Sequence, residues 1–182
     1  MSKIFPTIDQ DLSDFIARQH MFFVGSAPGA GGHVNISPKG ADSFRVLGPT
    51  RVAYLDMTGS GIETLAHLKD NGRIVIMFCA FDGPARILRL HGTGTPHEKG
   101  GAQYTRLMQH FTPLPGARAI IEVDVSRIAT SCGYSIPLYD YRGERDQLLR
   151  WAQAKGEDGI AEYLAERNGE SIDGLPGFSG AT

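Results

Sequence analysis

The chain is poor in cysteine, nearly balanced in charge and free of long apolar runs. It holds two cysteines, Cys79 and Cys132, and a single tryptophan in 182 residues. Two cysteines cannot build the disulfide framework of a small secreted domain. Cys79 also lies in a run that reads as a buried strand, so a reducing, cytoplasmic setting is the expectation. The 18 Lys and Arg against 20 Asp and Glu leave a net charge of −2, without the basic excess that marks a nucleic-acid partner. No apolar stretch approaches the roughly 20 residues of a membrane-spanning helix, and the opening MSKIFPTIDQ lacks the apolar segment of a signal peptide. Six histidines are present but no HExxH or CxxC spacing occurs, so no metal site is expected. Neither a GxSxG elbow nor a Walker loop is found. What is present suits one domain with appended helices: 41% apolar residues for a core and 23 glycines for many tight turns.

The stretch Arg51 to Phe78 (RVAYLDMTGSGIETLAHLKDNGRIVIMF) organises the rest. Arg51 to Met57 carries Val52, Tyr54 and Leu55 and fits a strand. Thr58-Gly59-Ser60-Gly61 is a turn. Ile62, Leu65, Ala66 and Leu68 then recur at helical spacing. Asn71-Gly72 stops that helix, because both residues tolerate a left-handed backbone. Arg73 to Phe81 is almost continuously apolar, as in a strand buried on both faces. The turn has two readings. Ser60 and Glu63 can form a capping box. Alternatively, the glycines let several N–H groups converge at a helix N-terminus, with Thr58 and Ser60 adding hydroxyls, to cradle a phosphate.

The flanks fill in around this unit. Thr7 to Gln19 reads as a helix, with Thr7 and Gln10 as its capping box and Ile8, Leu12, Phe15 and Ile16 as its apolar stripe. Met21 to Ser26 and His33 to Ser37 form a hairpin across the APGAGG turn. No helix follows those glycines, so they are not a dinucleotide fingerprint. Asn35, Ser37 and Lys39 share one face of the second strand by its period of two, which makes that face either exposed or a polar binding wall. A short strand is expected at Phe44 to Leu47 and a further strand at Ala85 to Thr95. The latter carries Arg86 on one face and Ile87, Arg89 and His91 on the other. After a loop at His97 to Gly101 come a helix from Gln103 to Phe111 and an alternating strand from Ala117 to Ile128. Ala129 to Pro137 reads as an edge strand. Two helices, Gly143 to Lys155 and Asp158 to Arg167, join at Gly156. The tail from Asn168 is polar and Gly-rich, and is expected to be loose or to lie across a partner. Six or seven mostly antiparallel strands argue a barrel with flanking helices.

Taken in order, NISPKG (Asn35 to Gly40), YLDMTGSG (Tyr54 to Gly61), NGRI (Asn71 to Ile74) and the strand from Arg86 to Gly94 resemble the FMN-binding split barrels. More narrowly, they resemble the pyridoxamine 5′-phosphate oxidase-related proteins, from about Phe15 to Val125. The resemblance implies a mainly β fold, with residues 1–142 as the flavin-binding barrel and residues 143–182 as a helical extension and tail packed on it. It implies a homodimer with FMN in a groove between the subunits, and neither a nucleic-acid nor a membrane partner. Asn35, Ser37 and Lys39 would lie along the flavin ring and ribityl chain, with Met57 and Thr58 at the next strand end. Ser60 and Thr64 would reach the phosphate. Arg86 and Ile87 would approach the cofactor from the other subunit. The implied activity is an FMN-dependent oxidoreductase, passing electrons between a small-molecule substrate or nicotinamide donor and the flavin. Tyr54 and His91 are the proton-transfer candidates, by chemistry alone. The alternatives are a flavin carrier without turnover, and a barrel that uses a deazaflavin or haem. Two departures separate the chain from the oxidases themselves. Glu63 and Thr64 stand where the oxidases carry an Arg-Lys pair, and the ending LPGFSGAT lacks their Arg-Leu-x-Pro signature.

Overall fold

The computed structural model describes residues 2–180; the last two residues of the tail fall outside them. The chain runs β1 (Lys3–Phe5), α1 (Gln10–Ala17), β2 (Phe22–Ser26), β3 (Asn35–Lys39), β4 (Phe44–Gly48), β5 (Arg51–Met57), α2 (Glu63–Asn71), β6 (Arg73–Cys79), β7 (Ile87–Glu98), α3 (Ala102–Met108), β8 (Ala117–Ser131) and α4 (Gln147–Arg167). All strand pairs among the described residues are antiparallel, in the order β3-β2-β6-β7-β8-β5-β4, with β1 added to β8.

The sheet curls until its two ends meet. Phe22 of β2 packs edge-on against Phe44 of β4 at 5.0 Å and Tyr54 of β5 at 5.6 Å. Lys39 at the end of β3 reaches Asp56 of β5 at 2.8 Å. A bulge in β8, where Ser126 is the extra residue opposite His91 and Gly92 of β7, helps the long strands bend. There a Cβ on Gly92 would stand 2.2 Å from the Asp124 carbonyl, so only glycine permits the close approach. No ladder joins β3 to β4, which leaves the barrel split along that seam.

The main core fills the barrel with Phe22, Val24, Tyr54, Ile76, Phe78, Leu88 and Leu90, closed by Leu12, Phe15 and Ile16 of α1 and Leu65 and Leu68 of α2. A second cluster lies outside the barrel wall, where Ala53, Leu55 and Ile120 pack on Leu107 and Phe111. β5 is therefore buried on both faces, which explains why its alternation is weak in the sequence.

Several sequence expectations shift. β1 makes an eighth strand among the described residues; three residues with no alternation give no readable signal. β7 runs on through Glu98, where a loop was expected, because His97 and Glu98 continue the ladder opposite Ile120 and Ala119. Pro96 in that run is what disguises it. β8 ends at Ser131, so residues 132–137 form no edge strand. Asp9, not Thr7, caps α1, its side chain accepting from the Leu12 N–H at 2.9 Å. α2 starts at Glu63 with no side-chain cap, so the Ser60–Glu63 box is not made. The two C-terminal helices do break at Gly156 (φ 67°), although the first begins at Gln147. The tail is neither loose nor left for a partner: Phe178 packs against the main core and Asn168 is fully buried. No helix among the described residues is long and apolar enough to cross a membrane.

Candidate functional site

At the end of β5 three charges meet inside the protein. Asp56 is fully buried and accepts from Lys39 Nζ at 2.8 Å and Arg118 Nε at 2.7 Å. Burial alone would raise the Asp56 carboxyl, but Lys39 and then Arg118 outweigh it and hold the pKa at about 2. The triad thus keeps one net positive charge beneath the turn that follows. The Tyr54 hydroxyl is buried nearby without a partner, and burial followed by Asp56 drives its pKa well upward. Tyr54 is enclosed in the core and stays protonated.

The turn itself is held from below. Arg118 Nη2 donates to the Gly61 carbonyl at 2.8 Å, and Asn168 Nδ2 donates to the Gly59 carbonyl at 3.0 Å. Asn168 in turn accepts from Arg118 Nη1 at 2.7 Å. The N–H groups of residues 59–62 donate no hydrogen bond among the described residues. Thr58 Oγ1 is buried and also lacks a partner, although the Thr58 N–H bonds to the Gly116 carbonyl. Glu63 folds back over the turn: a Cβ on Gly61 would lie 2.6 Å from Glu63 Oε2.

Two groups of side chains flank this turn. On one side a groove of about 680 Å³ is walled by Lys39, Met57, Thr58 and Gly59, with Tyr141 and Leu148 opposite. His20 stacks on Tyr141 at 3.5 Å, and the Tyr141 hydroxyl donates to Glu144 at 2.7 Å, which fixes the outer wall. On the other side, Asn35 Nδ2 donates to Thr64 Oγ1 at 2.9 Å and to Ser37 Oγ at 3.2 Å. Ser26 Oγ lies 3.0 Å from His67 Nδ1, whose Nε2 is buried without a partner. Burial lowers the His67 pKa, against smaller opposing effects from Asp173, Glu63 and Asp70.

The residues singled out in the sequence therefore divide. Lys39, Met57 and Thr58 share the groove, and Asn35, Ser37 and Thr64 share the polar cluster. Ser60 sits exposed on the turn between them. Arg86 and Ile87 join neither group within one chain. Arg86 donates to Asp11 at 2.9 Å and packs over Phe15. Ile87 opens β7, with β2 and β6 between it and β3, about 14 Å at the usual strand spacing. His91 lies opposite Val75 and Arg127, outside both groups. Reading the sequence missed Asp56, Arg118, Asn168, Ser26 and His67. Asp56 and Arg118 did leave a signal, since each is a charge set in an apolar strand. Asn168 left none in its polar tail.

A curled antiparallel sheet with one unpaired seam, a helix inserted after β5 and a groove beside that helix define the split-barrel class. Residues 8–132 match the family model of pyridoxamine 5′-phosphate oxidase, and the chain belongs to that family. The pyridoxamine 5′-phosphate oxidase family protein ustO of Aspergillus flavus is 40% identical over 200 residues, covering 100% of this chain and 80% of the relative. The HupZ protein of Group A Streptococcus is 26% identical with a TM-score of 0.55, over 68% of this chain and 99% of that one. An FAD-binding protein of Mycobacterium smegmatis shares the fold at 13% identity and a TM-score of 0.51, over 71% of this chain and 96% of that one.

Proposed function

We propose that this protein binds FMN in the groove beside the TGSG turn and works as a homodimeric FMN-dependent oxidoreductase. The observation that carries the reading is the turn: amides free of partners and the unpaired Thr58 hydroxyl stand at the rim of a groove whose wall holds Lys39. Free N–H groups at a helix N-terminus suit a phosphate. The groove volume falls within the roughly 300–1,000 Å³ typical of small-molecule sites. The residues present thus fit FMN. Its phosphate would rest on the amides of residues 59–62, with Ser60 adding its hydroxyl. Thr64 accepts from Asn35, which leaves its own O–H to donate. Met57 and Lys39 would meet the flavin ring, and the bound flavin would supply the electron transfer. Lys39 is paired with Asp56, so its field at the groove is that of the whole triad, one net positive charge. That charge favours an anionic reduced ring.

The same reading assigns Arg86 and Ile87 to the site of a second copy. The inverted character of β3 supports a dimer. Polar Asn35, Ser37 and Lys39 are half-buried, while Ile36 on the opposite face is 69% exposed and Val34 is 75% exposed. An apolar outer face of this kind marks an interaction surface. The activity is tested by loading the protein with FMN and adding NADH or NADPH without oxygen. Bleaching of the flavin band by one donor is expected. A bound flavin that neither donor nor any tested small-molecule reductant bleaches would make the protein a carrier instead.

A further inference from the structure

The C-terminal tail is built against the turn. Residues 168–178 form a small hairpin: Glu170 bridges Pro176, the Gly177 N–H bonds to the Gly169 carbonyl at 2.8 Å, and the Phe178 N–H to the Asn168 carbonyl at 2.7 Å. Lys69 of α2 donates to the Gly177 carbonyl, and the Gly177 backbone is too close to Asn168 and Ile62 to admit a Cβ. At the root of the hairpin every polar atom of Asn168 is engaged. Its N–H bonds to the Leu164 carbonyl, Oδ1 accepts from Arg118, and Nδ2 donates to Gly59.

The direction of those bonds decides what the turn presents. In a planar trans peptide the C=O and the following N–H point opposite ways. Asn168 and Arg118 draw the carbonyls of Gly59 and Gly61 inward, so the N–H groups of Ser60 and Ile62 face outward. The Ser60 carbonyl leans the same way, 3.5 Å from Asn168 Nδ2, which turns the Gly61 N–H outward too. The buried, unpaired Thr58 hydroxyl at the head of the turn is a second unsatisfied polar group at the same place.

We propose that Asn168 is a positioning residue for an anion at this turn, so that the C-terminal hairpin belongs to the phosphate-binding apparatus. This rests on the reading of the turn as the FMN phosphate site. The alternative is that Asn168 only anchors the tail. The two separate with ligands that differ by the phosphate alone. Full-length wild type and Asn168→Ala are titrated with FMN and with riboflavin, and inorganic phosphate is titrated into ¹⁵N-labelled protein while the amides of Ser60, Gly61 and Ile62 are followed by NMR. Phosphate is expected to shift those amides in wild type and not in the variant. FMN affinity should fall about tenfold, the scale of one charge-assisted hydrogen bond, with riboflavin affinity unchanged. Phe178→Ala, which loosens the tail without touching the turn, should lower Tm and leave the FMN-to-riboflavin ratio intact. Should Asn168→Ala fail to fold, Asn168→Asp keeps the Arg118 partner while losing the donor to Gly59, and is read the same way. Equal losses for both flavins, no loss for either, or wild-type amides that ignore phosphate would overturn the proposal. If wild type binds neither flavin but phosphate moves the amides only when Asn168 is present, the flavin reading fails and the positioning role stands.

Discussion

Asp56 shows how a single residue links the fold to the site. It closes the barrel through Lys39, and through Arg118 it fixes the turn. Removing one member of a buried ionic group leaves the others unpaired, which costs about 3–5 kcal/mol. Asp56→Asn should lose stability on that scale in denaturant unfolding. The pH dependence follows from the depressed pKa. The unfolded chain takes up the proton near the ordinary value of 3.8, the folded chain only near 2. The triad's contribution is therefore complete above pH 4 and disappears as the pH falls from about 4 to about 2, a loss on the order of 2 kcal/mol. Urea midpoints followed across that range should fall in wild type and flatten in Asp56→Asn. Glu63 acts in the opposite sense, since its carboxylate lies over the turn. Glu63→Gln should tighten FMN binding several-fold, an ordinary size for one charge near a helix N-terminus, as read by fluorescence quenching. At this scale the sequence was partly legible. Lys39, Met57 and Thr58 stood out through motif and spacing. Asp56 and Arg118 left only the signal of a charge in an apolar strand, since their partners lie 17 and 62 positions away in the chain.

Among the elements, β5, α2 and β6 were the most readable. Their signals are local: an apolar strand, a glycine turn, a helical stripe and an Asn-Gly stop. Gly72 ends α2 in the left-handed region at φ 72°, and a Cβ there would meet Thr93 Cγ2 at 2.8 Å. Gly72→Ala should cost at least about 1–2 kcal/mol, measured as a lower unfolding midpoint. Caps and strand ends were less readable. The true cap of α1 is Asp9, two residues from the expected one, and α2 has no side-chain cap: Glu63 lies over Gly61, and Thr64 is taken up by Asn35. β7 passes through Pro96 because β8 holds it there through Thr95 opposite Glu122 and His97 opposite Ile120, beyond the end of the β6 ladder at Thr93. That is a tertiary constraint that no local pattern records.

For the molecule as a whole, the sequence reading reached the split barrel and its family, but not the contacts by which the tail is seated. A polar, glycine-rich segment gives no amphipathic pattern, yet Asn168 is buried while donating to the distant Gly59 carbonyl, Lys69 of α2 donates to the Gly177 carbonyl, and Phe178 packs partly buried on the core. The proposed dimer follows from β3, whose apolar Ile36 faces outward. Ile36→Lys should yield monomers by sedimentation equilibrium and should weaken FMN binding in parallel, since Arg86 and Ile87 would then be lost to the site. Unchanged dimers would assign the subunit contact to another face.

The most direct test of the central claim is the absorbance spectrum of the freshly purified protein, with mass spectrometry of what it releases on denaturation and back-titration of the stripped protein with FMN. A flavin spectrum, released FMN and one FMN regained per chain are the results expected of the groove and its turn. A colourless protein that takes up no FMN, or one that releases a deazaflavin or haem in its place, would contradict the account.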